Sequence, residues 1–355
     1  MDMVVAWAKD ILLNFSRLNQ NKKMQQIIGI TMGCPVGIGP EIILKFFTSF
    51  RFERDRQAVV LGDSDVLRYA SGAMNIPTRI VPWHPGDAIK PGTIPVLELS
   101  SLPVQELQWG KPNIQTGKAM ASYIEEAVKL VQDNTLSALV TCPIAKSTLN
   151  LAGFNFPGHT EMLAHLTGAQ QHLMMMAGER LKVVLVTIHE PISQVAGMLT
   201  TEGVVNCIRQ TANTLQTDFG IEGPKIAVAA LNPHAGEQGM FGVEETEVIA
   251  PAIVACSNEF DVSGPWPPDT VFHRAVSGDF DAVIAMYHDQ GLIPFKMVHF
   301  SDGVNVTLGL PIVRTSVDHG TAYDIAGQGK ADCSSLKAAF ELAAQIAYNR
   351  QQKEA

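Results

Sequence analysis

The chain has 355 residues, 46% hydrophobic and 17% charged, with 26 Lys and Arg against 35 Asp and Glu, a formal net charge of −9. That length supports one large or two medium cores, and the composition is that of a compact globular protein rather than a disordered one. The acidic balance argues against broad binding of nucleic acid or anionic membrane, which needs clustered Lys and Arg.

The opening residues, MDMVVAWAKDILLNF, are apolar but carry Lys9 and Asp10 and lack a basic leader. Residues 1–23 therefore read as an N-terminal extension, with the core starting at Met24. From there the pattern predicts a strand over Ile27–Thr31, a Gly-rich loop, a helix over Pro40–Thr48 and a strand over Ala58–Leu61. A Pro- and Gly-rich stretch, 77–116, reads as surface loop or interdomain connection. A helix over Gly117–Val131, a strand over Ala138–Thr141 and a helix over Thr160–Thr167 follow. The second half alternates strands over Val183–Ile188, Ile226–Ala230 and Ala282–Met286 with helices over Glu202–Asp218, Glu244–Glu259 and Ser335–Asn349. Several strands are continuously apolar, which suits burial on both faces of a largely parallel sheet, so the fold class is α/β.

The five cysteines (34, 142, 207, 256 and 333) are scattered, odd in number and without C-x-x-C spacing. No disulfide framework or structural zinc site is expected, and the reducing cytoplasm is the expected compartment. No run approaches 18 uninterrupted apolar residues, so no membrane span is expected.

Three apolar strands each end in a histidine: His189 in His-Glu-Pro, His234 in Asn-Pro-His-Ala-Gly-Glu, and His288 in MYHDQG. In open α/β sheets, sites gather at the carboxyl ends of strands. A single such histidine reads as a hydrogen-bonded strand end. Three of them favour a shared divalent-metal site with positions left open for substrate. His84, His172, His273 and His299 lack this context and read as surface or structural, and His165 receives no role.

Three further stretches carry polar chemistry. ITMGCPVGIGPEI, 30–42, has Gly37-x-Gly39, but Ile42 holds the third glycine position of a dinucleotide fingerprint, and no Lys-Ser or Lys-Thr pair follows. It reads as a tight strand-to-helix turn or a ligand-touching loop. Pro-Gly-His159-Thr160 opens a helix and offers free N–H groups, an imidazole and a hydroxyl to an anion, unless Thr160 is simply the cap. Residues 302–332 gather Asn305, Arg314, Thr315, Ser316, Asp318, His319 and Asp324 among glycines, which reads as a site loop rather than a solvated one. Lys296 adds a cation beyond His288.

These residues, in GIGPEI, GHTE, LNPHAGE, MYHDQG and GVNVTLGLPIVRTSVDHGTA, occur in order between about Ile27 and Lys337. The chain thereby resembles the NAD-dependent 4-hydroxythreonine-4-phosphate dehydrogenase family of pyridoxal-phosphate biosynthesis. The resemblance implies a divalent metal (Zn, Mg or Co) on His189, His234 and His288, and substrate phosphate against His159, Thr160, Lys296, Asn305 and Arg314. It implies a homodimer with active sites at the subunit interface. The segment DHGTAYDIAGQGKAD is also similar to one in isopropylmalate and isocitrate dehydrogenases, which implies cofactor contacts at Gly320, Ala322 and Asp324, with NAD preferred and NADP the alternative.

The fold so implied has two α/β/α subdomains with largely parallel sheets and the site in the cleft between them. Residues 24–145 with 305–355 form the cofactor side, and 146–304 the metal and dimer side. The expected reaction is oxidation and decarboxylation of 4-phosphooxy-L-threonine. Lys296 is expected to handle a proton or bind the carboxylate, and Asp269 and Asp289 are alternative bases. The family pattern Gly-Asp-Pro-Ala-Gly is Gly33-Cys34-Pro35-Val36-Gly37 here, and Ala145 replaces a histidine before Lys146. These departures leave two alternatives: a dehydrogenase of phosphothreonate, phosphoerythronate or another hydroxy acid, or a phosphate-binding relative without turnover.

Overall fold

The computed structural model describes residues 25–53 and 55–354; the expected extension over residues 1–23 lies outside them. β1, Gln26–Thr31, is almost wholly buried. The Gly-rich loop leads into α1, Gly39–Ser49, with Pro40 in the first turn, where no N–H is needed, and Glu41 beside it. β2, Arg56–Gly62, lies parallel to β1. Asp63 caps α2, Ser64–Met74, by accepting from the N–H groups of Asp65 and Val66.

Two short parallel strands, β3 (Ile80–Pro82) and β4 (Ile94–Glu98), then add to one end of the sheet. They lie in the stretch 77–116 that reads as loop, because runs so short and interrupted by Pro carry no usable period. α3 (Ile114–Gln132) and β5 (Ala138–Thr141) complete the first block.

The second block starts with α4, Lys146–Leu151, and α5, His159–Thr167. β6 (Leu173–Ala177), β7 (Lys182–Leu185), α6 (Ile192–Met198), α7 (Thr201–Thr217) and β8 (Ile226–Ala229) follow. Next are α8 (Ala250–Cys256), β9 (Val262–Trp266), α9 (Pro268–Val276), β10 (Ala282–Ala285) and α10 (His288–Val298). β11 (Val304–Leu308), β12 (Arg314–Val317) and α11 (Ser334–Glu354) end the described chain. The single helix predicted over Glu244–Glu259 is instead a π turn, Glu245–Ile249, running into the shorter α8. Pro251 has no N–H to continue the ladder there.

The strands form one twelve-stranded sheet in the order β3-β4-β2-β1-β5-β12-β11-β6-β7-β10-β8-β9. Pairing is parallel except at β12–β11, β11–β6 and β6–β7. The α/β class with a largely parallel sheet therefore holds, and an antiparallel centre joins the two blocks. The polar stretch expected as a site loop supplies two central strands. Its residues alternate there, with Val304, Val306 and Leu308 buried between Asn305 and Thr307, and the glycines mask that period. Met176, Val183, Leu185, Ala227, Phe272 and Phe295 form a second, smaller core, where α9 and α10 cover the second block. Among the described residues no helix is long and apolar enough to cross a membrane.

Candidate active site

β7, β10 and β8 are adjacent and parallel, so their carboxyl ends share one edge of the sheet. His189, His288 and His234 follow those ends. Two buried side chains tie the ends together. Thr187 Oγ1 donates to the Met286 carbonyl at 2.7 Å. Gln290 donates to the Ala230 carbonyl and accepts the Met286 N–H, each at 2.7 Å.

The rings of His189 and His288 stand 5.7 Å apart between centroids. Burial, then the charges of Lys146 and His288, holds His189 below the usual histidine value, which favours the neutral, ligating form. Asp289 accepts from His288 Nδ1 at 2.7 Å, so Nε2 is the nitrogen left to ligate. Two imidazoles on rigid strand ends fit a divalent ion.

His234 does not join them. It rides a left-handed turn, with φ of 53° at His234, 56° at Ala235, 77° at Gly236, 43° at Glu237 and 56° at Gln238. It is exposed there, with its ring 6.3 Å from that of Phe241. Among the described residues no group of three or more His, Cys, Asp or Glu stands together as a metal site. Within one chain the expected triad is thus a pair plus one outlier. Glu245, buried at 2%, braces the turn. Its carboxylate accepts the N–H groups of Leu231 at 2.9 Å and Asn232 at 2.7 Å, and the Asn232 amide at 3.0 Å.

The other end of the site is cationic. Arg314 is 3% exposed at the start of β12 and reaches both neighbouring strands. It donates to Thr141 on β5 at 2.7 Å, and to Thr307 at 2.9 Å and Asn305 at 3.3 Å on β11. All these acceptors are neutral, and no carboxylate among the described residues pairs with it. Burial pushes the guanidinium down to about 9, a large loss for a group that normally stays charged.

His159 opens α5 behind Gly158, and its buried Nε2 has no hydrogen-bond partner. Burial, then the Arg314 and Lys146 charges, holds it well below the usual histidine value. Thr160 lies inside the helix rather than at its cap, so capping does not occupy its hydroxyl. A cavity of about 700 Å³, lined by Pro157, Glu161, Thr187, His189, Thr200 and Gln210, runs beside these groups.

Lys296 pairs with Asp318 at 3.2 Å. Burial holds the Asp318 carboxyl above its usual value, while Lys296 pulls it down. Asp269 is exposed in the first turn of α9 and makes no side-chain hydrogen bond or ion pair among the described residues. His299, left as structural by its context, is buried with Nδ1 on Asp302 and Nε2 accepting the Arg180 N–H.

The Gly-rich loop and the 318–333 tail meet. Ile38 N–H donates to the Thr321 carbonyl at 3.1 Å, and Cys34 Sγ lies 3.4 Å from the Tyr323 hydroxyl. Glu41 accepts the N–H groups of Gly329 and Ala331. Gly320 and Asp324 are exposed and Ala322 is left-handed at φ 41°, in one loop against that turn. The sequence assigns no role to Lys146, Glu161 or Glu245, although Lys146 lies over Gly158, Glu161 ends GHTE, and Glu245 lies eight residues beyond LNPHAGE.

The family model described as pyridoxal phosphate biosynthetic protein PdxA matches residues 54–343. The chain is 51% identical over 321 residues to the 4-hydroxythreonine-4-phosphate dehydrogenase of Desulfosudis oleivorans, across 89% of this chain and 95% of the relative. It is 53% identical over 323 residues to a relative of the same name from Desulforapulum autotrophicum, across 90% and 94%. A crystal structure of 4-hydroxythreonine-4-phosphate dehydrogenase from Klebsiella pneumoniae aligns with a TM-score of 0.83 at 40% identity, over 91% of this chain and 100% of that one.

Proposed function

The chain belongs to the pyridoxal phosphate biosynthetic protein PdxA family, and from that premise we propose a cytoplasmic, NAD- and divalent-metal-dependent dehydrogenase acting on 4-phosphooxy-L-threonine. NAD, when bound, would accept the hydride from C3 as the C3 hydroxyl loses its proton. The resulting 3-oxo acid then loses CO2, and the enolate left takes a proton at C2, giving 3-amino-2-oxopropyl phosphate.

The observation that carries this reading is the buried Arg314, without an ion pair among the described residues, acting on His159, whose Nε2 is orphaned at a helix N-terminus. A buried cation with only neutral partners is costly until it meets an anion, and guanidinium suits phosphate oxygens. Arg314, Asn305, His159 and Thr160 would hold the phosphate, turning remote binding energy into orientation at C3. A divalent ion held by the histidines would lower the pKa of the hydroxyl it binds. Lys296, steadied by Asp318, would handle the carboxylate end. Asp289 is favoured over Asp269 as base, because it already hydrogen-bonds His288. Gly320, Ala322 and Asp324 would meet the nicotinamide dinucleotide. On this reading residues 24–145 with 305–355 carry the cofactor, and 146–304 the metal and the dimer contact.

The metal triad would be completed in a homodimer, with His234 supplied across the interface. Support comes from large apolar side chains exposed on the same block, 146–304: Met297 is 84% exposed, Phe300 82% and Met240 73%.

NADH formation is measured with 4-phosphooxy-L-threonine, phosphothreonate, phosphoerythronate and their dephosphorylated forms, before and after chelation and Zn, Mg or Co return. Turnover of the first substrate alone, lost on chelation, is expected. Turnover of the phosphorylated acids instead would shift the substrate, and binding without turnover would leave a non-catalytic relative. Mixing His189→Ala with His234→Ala protein should restore part of the metal binding that each lacks, if the ligands come from two subunits.

A further inference from the structure

We infer that Lys146 is a substrate-binding residue, its ammonium forming the outer arm of the phosphate cradle opposite Arg314. The inference deepens the dehydrogenase reading and rests on it for the identity of the anion.

Lys146 is the first residue of α4, and its side chain runs over Gly158 toward the start of α5. A Cβ on Gly158 would lie 3.3 Å from Lys146 Cε and 3.6 Å from its Nζ, so the glycine leaves the room the lysine occupies. Glu161 Oε2 would lie 3.3 Å from the same point. The two side chains thus flank Gly158, yet no ion pair within 4.0 Å joins them. Among the described residues Lys146 has no hydrogen bond or ion pair at all.

Its position is central. Its charge disfavours protonation of His159. Its ammonium lies over Gly158, at the mouth of the helix that His159 opens. The other lysine of the site, Lys296, is already held by Asp318 at 3.2 Å. Arg314 is buried in the sheet and Lys146 is exposed at its margin, and both charges act on His159, whose Nε2 is orphaned at the start of α5. A phosphate dianion seated there meets one charge from each side. Lysine suits the outer position, because its flexible stem lets the ammonium follow the ligand as it enters.

The test uses the full chain. Isothermal titration with inorganic phosphate, without NAD or turnover, is compared for wild type, Lys146→Met, Lys146→Arg and Lys296→Met, with the melting temperature of each recorded. Losing one charge-assisted contact should weaken phosphate binding roughly 10- to 100-fold in Lys146→Met. Lys146→Arg should recover most of it, and the melting temperature should stay unchanged. In turnover the same variant should raise KM for the phosphorylated substrate by that factor, with kcat and the NAD KM changed less than about threefold. Phosphate affinity equal to wild type in Lys146→Met overturns the assignment. So does a lowered melting temperature with intact affinity, which would make Lys146 a partner of Glu161 only. Weakened phosphate binding in a protein that forms no NADH keeps the assignment and overturns the dehydrogenase reading instead.

Discussion

Arg314 spends its donors on neutral oxygens of two neighbouring strands, and no carboxylate among the described residues forms an ion pair with it, Glu161 acting only at longer range. Removing one side of a buried charge pair costs about 2–5 kcal/mol. Arg314→Ala should therefore lower kcat/KM for the phosphorylated substrate by that amount and leave the NAD dissociation constant unchanged. The dephosphorylated acid is the control, since wild type and variant should handle it equally poorly. Weaker NAD binding with phosphate preference intact would move Arg314 to the cofactor site. Cys34, where the family pattern has an acid, is fully buried against Tyr323, and burial raises its thiol above the usual value. It should accordingly resist alkylation in the folded protein, read by mass spectrometry with and without denaturant.

The left-handed turn that carries His234 is costly for non-glycine residues, by about 1–2 kcal/mol each. Glu245 holds it from the adjoining π turn by satisfying two backbone N–H groups and the Asn232 amide. In Glu245→Ala each abandoned buried N–H should cost about 1–3 kcal/mol. The expected result is a lowered melting temperature, faster amide exchange over residues 231–243 and weaker metal retention. Gly236→Ala should act in the same direction. Its φ is 77°, and an added Cβ would sit 2.6 Å from the Glu245 carboxylate. Unchanged exchange across the turn in both variants would mean that Glu245 does not brace it. His234 and its tight turn are plain in LNPHAGE, but the acid that stabilises them lies eight residues beyond that motif's end, across a loop.

For the whole molecule, buried neutral histidines set the acid limit of stability. His159 and His319 each hold an unpartnered, buried Nε2, and burial is the main cause lowering both below 6.5. The unfolded chain therefore takes up protons that the folded chain refuses. Stability should be unaffected above the unfolded value of 6.5 and fall as pH drops from there toward the lowered folded values. Thermal melts between pH 7.5 and 5.5 should show this fall, and a His159→Gln, His319→Gln protein should show a shallower one. An equal slope in both proteins would assign the acid sensitivity to other groups.

Continuous apolar runs determined β1, β5, β8 and β10, because a strand buried on both faces has few other compositions open to it. They also determined that histidines follow strand ends, since a chain leaving a buried strand surfaces at its carboxyl end. The long motifs determined the family. Tertiary structure decided which polar groups share a site. Arg314 meets Thr141 across 173 residues only because β12 inserts beside β5, a register that no local period encodes. It also decided that the sheet runs unbroken through antiparallel β11 and β6, that Lys296 pairs with Asp318, and that His189 and His288 come together without His234. Propensity and periodicity act over a few neighbouring residues. Desolvation and ion pairing depend on which distant segments lie side by side, and those neighbours exist only once the sheet has formed.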